Sequence, residues 1–172
     1  MMKKSKIDYY LKIASIVASQ SKCKHRRFGA VIVKDDAIVA TGYNGSCRGT
    51  LNCGSDISCL KDIHGDINNL TGAKGLNDKS DYSNCPAVHG EMDAIINAAR
   101  TGVSVVGATM YVAEVDGKSE IPCYLCRRFI IQVGILDVYD GFPEKFVNHY
   151  YVKDSSTRDF IDLENGWMKS RL

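Results

Sequence analysis

At 172 residues the chain suits one domain with its own core and is short for two. Hydrophobic residues make up 45% and charged residues 24%, a globular balance that excludes a disordered or fibrous chain. The formal charge of +2 argues against a protein built to grip a nucleic-acid backbone, which needs a strongly basic face, but leaves room for a local phosphate pocket.

In chain order, Ile7, Leu11, Ala14 and Ala18 recur at helical spacing, which predicts an amphipathic helix from Ile7 to about Ser21. Two β-branched runs, 28–33 and 37–41, flank Lys34-Asp35-Asp36 and predict a hairpin. From Gly42 to Asn84 the chain is rich in Gly, Asn, Asp and Ser without sustained periodicity. So long an irregular stretch inside a compact domain calls for a staple. Met92, Ile95, Ile96 and Ala99 then form a helical stripe ended by Gly102.

Residues 108–115 read as a strand, and 123–133 as a helix with Leu125, Phe129, Ile130 and Val133 inward and Gly134 as its stop. Residues 135–139 follow as a strand. A helix between two buried strands is a βαβ unit, so the sheet is partly parallel with helices on its faces. Beyond Asp140 the pattern weakens to a candidate strand at 150–152 and a helix capped by Ser156. One domain over 1–172 is expected, with an irregular cysteine-rich insert at about 46–85.

No stretch approaches the roughly 18 uninterrupted apolar residues of a membrane helix. Asp8 and Lys12 interrupt the start before it could form the apolar run of a signal peptide. A cytoplasmic protein without membrane or nucleic-acid partners is therefore expected. In a reducing compartment seven cysteines at 23, 47, 53, 59, 85, 123 and 126 read as metal ligands or buried thiols rather than disulfides.

Two short motifs carry the chemistry: His89-Gly90-Glu91 and Pro122-Cys123-Tyr124-Leu125-Cys126. Cys123 and Cys126, three apart at a helix start, place both sulfurs on one face. With His89 they offer zinc three ligands and leave a fourth position open, the arrangement of a catalytic site. A water at that position loses much of its pKa. His89 and Glu91 are two apart and would diverge in mid-helix, so both serve one site only if His89 lies at or before the first turn. Two helix N-termini then point at the metal and favour thiolates. Glu91 is left to move protons. The spacing H-x-E…P-C-x-x-C is a known signature of zinc deaminases.

On these motifs, and on Ser21-Lys22-Cys23, the run 28–33 and Gly42-Tyr43-Asn44-Gly45, the chain resembles the cytidine and deoxycytidylate deaminases, most closely the deoxycytidylate branch. The resemblance runs from about Ser21 to Val138. It implies a three-layer α/β/α fold around a mixed five-stranded sheet. It also implies hydrolysis of a cytosine amine, with dCMP converted to dUMP and Glu91 as the proton shuttle. By the same resemblance Asn44 contacts the sugar or base, although Asn-Gly after a strand is also ordinary turn chemistry. A monophosphate substrate asks for cations near the first strand and this loop. Arg26 and Arg48 are the candidates, since Arg can bind phosphate through two bonds.

The resemblance further implies a second, structural zinc held by Cys23, Cys53, Cys59 and Cys85, with His64 or Asp56 as alternatives to Cys59. Such a site would stabilise an irregular loop that burial cannot. A homo-oligomer, in many relatives a hexamer, and control by dCTP and dTTP with Mg2+ are also implied. Three departures bear on the substrate. The usual middle Ala of the first motif is Gly90, which leaves room beside the metal, and the following Asn is Asp93, an acceptor-only group. The stretch 114–121 is longer than the family's tight turn and is expected to border the active site. They keep open a deaminase of another nucleoside, nucleotide or base, modified pyrimidine or purine. The other alternative is a non-catalytic zinc-bound scaffold.

Overall fold

The computed structural model describes residues 4–59, 85–115, 122–143, 145–152 and 167–169. A long sheet runs through it in the order β2-β1-β5-β6-β7-β8, built from β1 (Phe28–Lys34), β2 (Ala37–Tyr43), β5 (Thr109–Glu114), β6 (Asp137–Phe142), β7 (Phe146–Val152) and β8 (Trp167–Lys169). β5 and β6 are parallel and every other neighbouring pair is antiparallel. The mixed sheet expected from the sequence is present, with an additional edge: β8 pairs with β7 through Tyr150↔Lys169 to Val152↔Trp167. Ser156, the expected cap of a last helix, and residues 60–84 of the insert, with His64, lie outside the described residues.

Helix α1 (Lys4–Ala18) covers one face of the sheet, and α2 (Gly90–Arg100) and α3 (Tyr124–Gln132) cover the other. α1 buries Tyr10, Leu11, Ala14 and Ala18 against Val31, Tyr111 and Tyr139. It lies so close to β1 that a Cβ on Gly29 would stand 2.3 Å from the Ala14 carbonyl oxygen and 2.4 Å from the Ala18 nitrogen. Only glycine fits there. The hairpin turns on Asp35 and Asp36, both at positive φ (49° and 63°), the conformation of a two-residue hairpin loop whose twist matches the strands. Asp36 accepts hydrogen bonds from Tyr10 (2.9 Å) and from Lys6, which ties the turn to α1.

On the opposite face Ala94, Ile95 and Ala98 of α2 join Ile130 of α3 over Ala30, Ile32, Met110, Val112 and Val138. α3 departs from its expected orientation. Its inward stripe is Cys126, Ile130 and the partly buried Val133, whereas Leu125 and Phe129 are 49% and 42% exposed. The spacing i, i+4, i+7 starting at Cys126 faces the sheet, and Leu125 and Phe129 lie one residue, about 100° of helix, away from it. Finally, β3 (Gly45–Ser46) pairs with β4 (Ala87–Val88) in a short ladder. That ladder brings the loop after β2 beside the entrance of α2.

Candidate active site

His89 is the N-cap of α2, with extended backbone (φ −72°, ψ 152°), and Cys123 is the N-cap of α3 (φ −59°, ψ 160°). Both helices therefore begin at the same place, as the two-residue spacing of His89 and Glu91 required. The Cys123 sulfur accepts from the Cys126 backbone N–H at 3.5 Å, so it doubles as a helix cap. The His89 Nδ1 lies 3.3 Å from the Cys123 Sγ and 3.4 Å from the Cys126 Sγ. Tetrahedral zinc with ordinary Zn–S and Zn–N bonds separates an S and an N by about 3.6 Å, so the three atoms fit one ion. Among the described residues this is the one group of three or more such side chains whose ligand atoms lie within 4.8 Å of one another.

Glu91 is 6% exposed and hydrogen-bonds the Cys126 thiol. Burial pushes its carboxyl above the ordinary range. Hydrogen bonding from Cys126, assisted by His89, holds the Cys123 thiol down at about 3. Hydrogen bonding to Cys123, with burial, pushes the Cys126 thiol up. His89 is raised, chiefly by its hydrogen bond with Cys123.

A cavity of about 740 Å³ opens onto His89 and Cys123 of this trio, which suits a ligand of nucleotide size. His89, Glu91, Cys123, Asn44, Arg26 and Arg48 all line it. The structure thus brings together every residue proposed for catalysis and substrate contact, but assigns some of them other partners. Asn44 is buried, and its amide ties the entry of β1 together: Oδ1 accepts from the Phe28 N–H and Nδ2 donates to the Arg26 carbonyl, each at 2.8 Å. Arg26 makes a two-bond ion pair with Glu114 (2.8 and 2.9 Å) and stacks over Phe28 at 4.6 Å. Arg48 donates to the Asn97 Oδ1 at 3.1 Å.

Cys23, Cys53, Cys59 and Cys85 line the same cavity, but no three of their sulfurs come within 4.8 Å of one another. Three separate segments carry these cysteines, and Cys53 sits on a turn pinned by its own bonds, Gly54 N–H to the Ile57 carbonyl (2.8 Å) and Asp56 to Asn52. Asp56 is spent on that turn.

A Cβ on Gly90 would meet the Phe28 carbonyl oxygen at 3.1 Å, so the glycine also eases the approach of α2 to β1. Asp93 acts as the acceptor its chemistry dictates, taking the Tyr43 N–H at 3.1 Å. Of the 114–121 stretch, Glu114 pairs with a cavity residue and Pro122, just beyond it, lines the cavity, while 116–121 lie outside the described residues. Sequence reasoning missed Glu114 and Asn97 as site residues. Asn97 stands one helical turn after Asp93 on the same face, which was the available signal.

A three-layer α/β fold with a His-Cys-Cys trio at two helix starts defines a zinc-binding deaminase domain. The family model for the cytidine and deoxycytidylate deaminase zinc-binding region matches residues 4–141, and the chain belongs to that family. It is similar to the deoxycytidylate deaminase of Mycobacterium phage D29, 34% identical over 132 residues that cover 74% of this chain and 88% of the relative. It is similar also to the deoxycytidylate deaminase of Saccharomyces cerevisiae, 34% identical over 138 residues covering 80% of this chain; it spans 38% of that relative's length. Among solved structures, the dCMP deaminase of cyanophage S-TIM5 in complex with dCMP and dUMP superposes with a TM-score of 0.59 at 27% identity. That match covers 81% of this chain and 83% of the other.

Proposed function

We propose that this chain hydrolyses dCMP to dUMP and ammonia at the cavity shared by His89, Glu91 and Cys123. The observation that carries the reading is the ligand trio with the buried Glu91 carboxyl beside it. The names of the phage and yeast relatives, and the dCMP and dUMP in the cyanophage complex, support the substrate.

In this reading His89, Cys123 and Cys126 hold zinc and leave one position open toward the cavity. Bound zinc supplies Lewis acidity that brings the pKa of a coordinated water toward neutrality. Glu91 takes the proton released as the water oxygen adds to C4 of the ring, and gives it to the ring nitrogen. It then takes the proton of the new C4 hydroxyl and delivers it to the amine as the C4–N bond breaks, so that ammonia leaves and a carbonyl remains. The protein's contribution is a proton carrier, Glu91, fixed by burial beside the ligand trio. Asn44, with one amide hydrogen beyond its bond to Arg26, can meet the sugar or base. Arg48 meets the phosphate.

The four cysteines lining the cavity support a second zinc, which would draw Cys23, Cys53, Cys59 and Cys85 closer together. Metal analysis should then find two zinc ions per folded chain, and one would remove the proposal. The exposed apolar side chains Tyr124, Leu125 and Phe129 on α3 support a homo-oligomer. Control by dCTP and dTTP with Mg2+ rests on family resemblance alone.

The test of the substrate is ammonia release from dCMP, CMP, dCTP, cytidine, AMP and GMP by zinc-replete protein. Turnover confined to dCMP is expected. Preferential turnover of a purine nucleotide or of cytidine would overturn the substrate assignment while leaving the metal chemistry intact.

A further inference from the structure

Two arginines line the cavity from the β1 side and from the loop after β2, and their partners differ in kind. Arg26 faces Glu114, which is 3% exposed, through two charge-assisted bonds, so its positive charge is compensated within the protein. Arg48 is exposed and bonded to a neutral amide, the Asn97 Oδ1 at 3.1 Å. A neutral acceptor orients a guanidinium without cancelling its charge. Asn97 is itself fixed, because its Nδ2 donates to the Thr41 carbonyl of β2 at 2.9 Å. One turn earlier, Asp93 holds the Tyr43 N–H of the same edge strand. α2, which presents Glu91 at its start, thus also carries the group that sets Arg48.

We propose that Asn97 is a positioning residue for recognition of the substrate's phosphate: it holds Arg48 at the cavity with its charge uncompensated, so that Arg48 rather than Arg26 takes the 5′-phosphate of a pyrimidine nucleoside monophosphate. The inference rests on the deaminase reading and sharpens it. Planar guanidinium nitrogens beyond the one held by Asn97 suit two phosphate oxygens at once. Replacing the amide by a carboxylate would cancel the charge on Arg48 but also remove the Nδ2 donor to Thr41, whereas Arg48→Gln leaves Asn97 and that bond in place, so the two variants together separate charge from structure.

The experiment is steady-state kinetics of the zinc-loaded full chain, wild type and Asn97→Asp, with dCMP and with deoxycytidine, alongside binding of dUMP and deoxyuridine. The expected result is a rise of about tenfold or more in KM for dCMP, the loss of a charge-assisted contact, with kcat within about threefold. Binding of dUMP should weaken by a similar factor, and deoxycytidine and deoxyuridine should be unaffected. Arg48→Gln, on an exposed loop, should reproduce the pattern if Asn97→Asp fails to fold. An unchanged KM for dCMP in either folded variant overturns the inference, as does an equal loss for nucleotide and nucleoside. If wild-type kcat/KM for deoxycytidine equals that for dCMP, the dCMP reading itself falls, and an absence of all turnover by wild type removes both.

Discussion

Glu114 is 3% exposed, and without Arg26 it would be an isolated anion under the edge of the cavity. Truncating Arg26 should therefore act on folding before it acts on substrate. Arg26→Ala is expected to cost about 2–4 kcal/mol in urea unfolding, somewhat less than a fully buried pair because Arg26 is 26% exposed. The double variant Arg26→Met, Glu114→Leu should recover much of that loss, since it removes the stranded charge together with its partner. A single variant as stable as wild type would contradict the buried-pair account. Asn44 presents the same logic with a neutral group. Its two 2.8 Å bonds to the Phe28 N–H and the Arg26 carbonyl make it a brace for the β1 entry as well as a cavity residue.

The start of α2 depends on how close that helix can come to the sheet. A Cβ on Gly42 would stand 2.1 Å from the Ala94 nitrogen and 2.6 Å from the Gly90 carbonyl oxygen, both backbone atoms that cannot step aside. Gly42→Ala should therefore push α2 outward, carrying His89 and Glu91 with it. We expect a destabilisation of about 1–3 kcal/mol together with weakened zinc retention on dialysis against a mild chelator. Gly29→Ala, which strikes α1 on the far face, should destabilise the fold without that selective effect on zinc. Equal zinc retention in the two variants at matched stability would contradict the role given to α2.

This scale also shows what the sequence could reveal. His89, Glu91, Cys123 and Cys126 were legible because their geometry is local: each pair lies within one turn of a helix start. α1 and the hairpin were legible from periodicity, although the helix runs over Lys4–Ala18 rather than on to Ser21. Leu125 and Phe129 misled because a nine-residue helix offers more than one apolar stripe, and the stripe chosen is set by where Cys126 must point. β3 and β4, two residues each, are too short to leave any periodicity. Glu114 and Asn97 were invisible as site residues because their partners, Arg26 and Arg48, stand 88 and 49 positions away in the chain. For Cys23, Cys53, Cys59 and Cys85 the family pattern supplies places along the chain, and places alone carry no distances.

Across the whole molecule, the sheet separates two cores of different character. The α2–α3 face is aliphatic and supports the site. The α1 face carries a run of rings, Tyr10 to Tyr111 (4.9 Å), Tyr111 to Tyr139 (5.3 Å) and Tyr139 to His149 (4.1 Å). Burial, helped by Asp36, pushes the Tyr10 phenol up to about 12, and burial raises Tyr111 and Tyr139 as well; on the other core Tyr150 reaches about 12. Phenols in an unfolded chain ionise near pH ~10. Their folded-state values are raised, so the stability they contribute is fully present below that pH and is lost as pH rises toward 12. Urea midpoints recorded from pH 8 to 11.5 should hold up to about pH 10 and then fall steeply; a flat profile would contradict the buried ring array.

The account as a whole turns on Glu91 moving protons beside a metal held by His89, Cys123 and Cys126. The most direct test compares wild type and Glu91→Gln, both loaded with zinc, for conversion of dCMP to dUMP and ammonia. We predict equal release of dUMP and ammonia by wild type, and a loss of about 10²–10⁴-fold in kcat in a variant that keeps its zinc at this site. A zinc-bearing Glu91→Gln protein that turns over dCMP at the wild-type rate would contradict the mechanism.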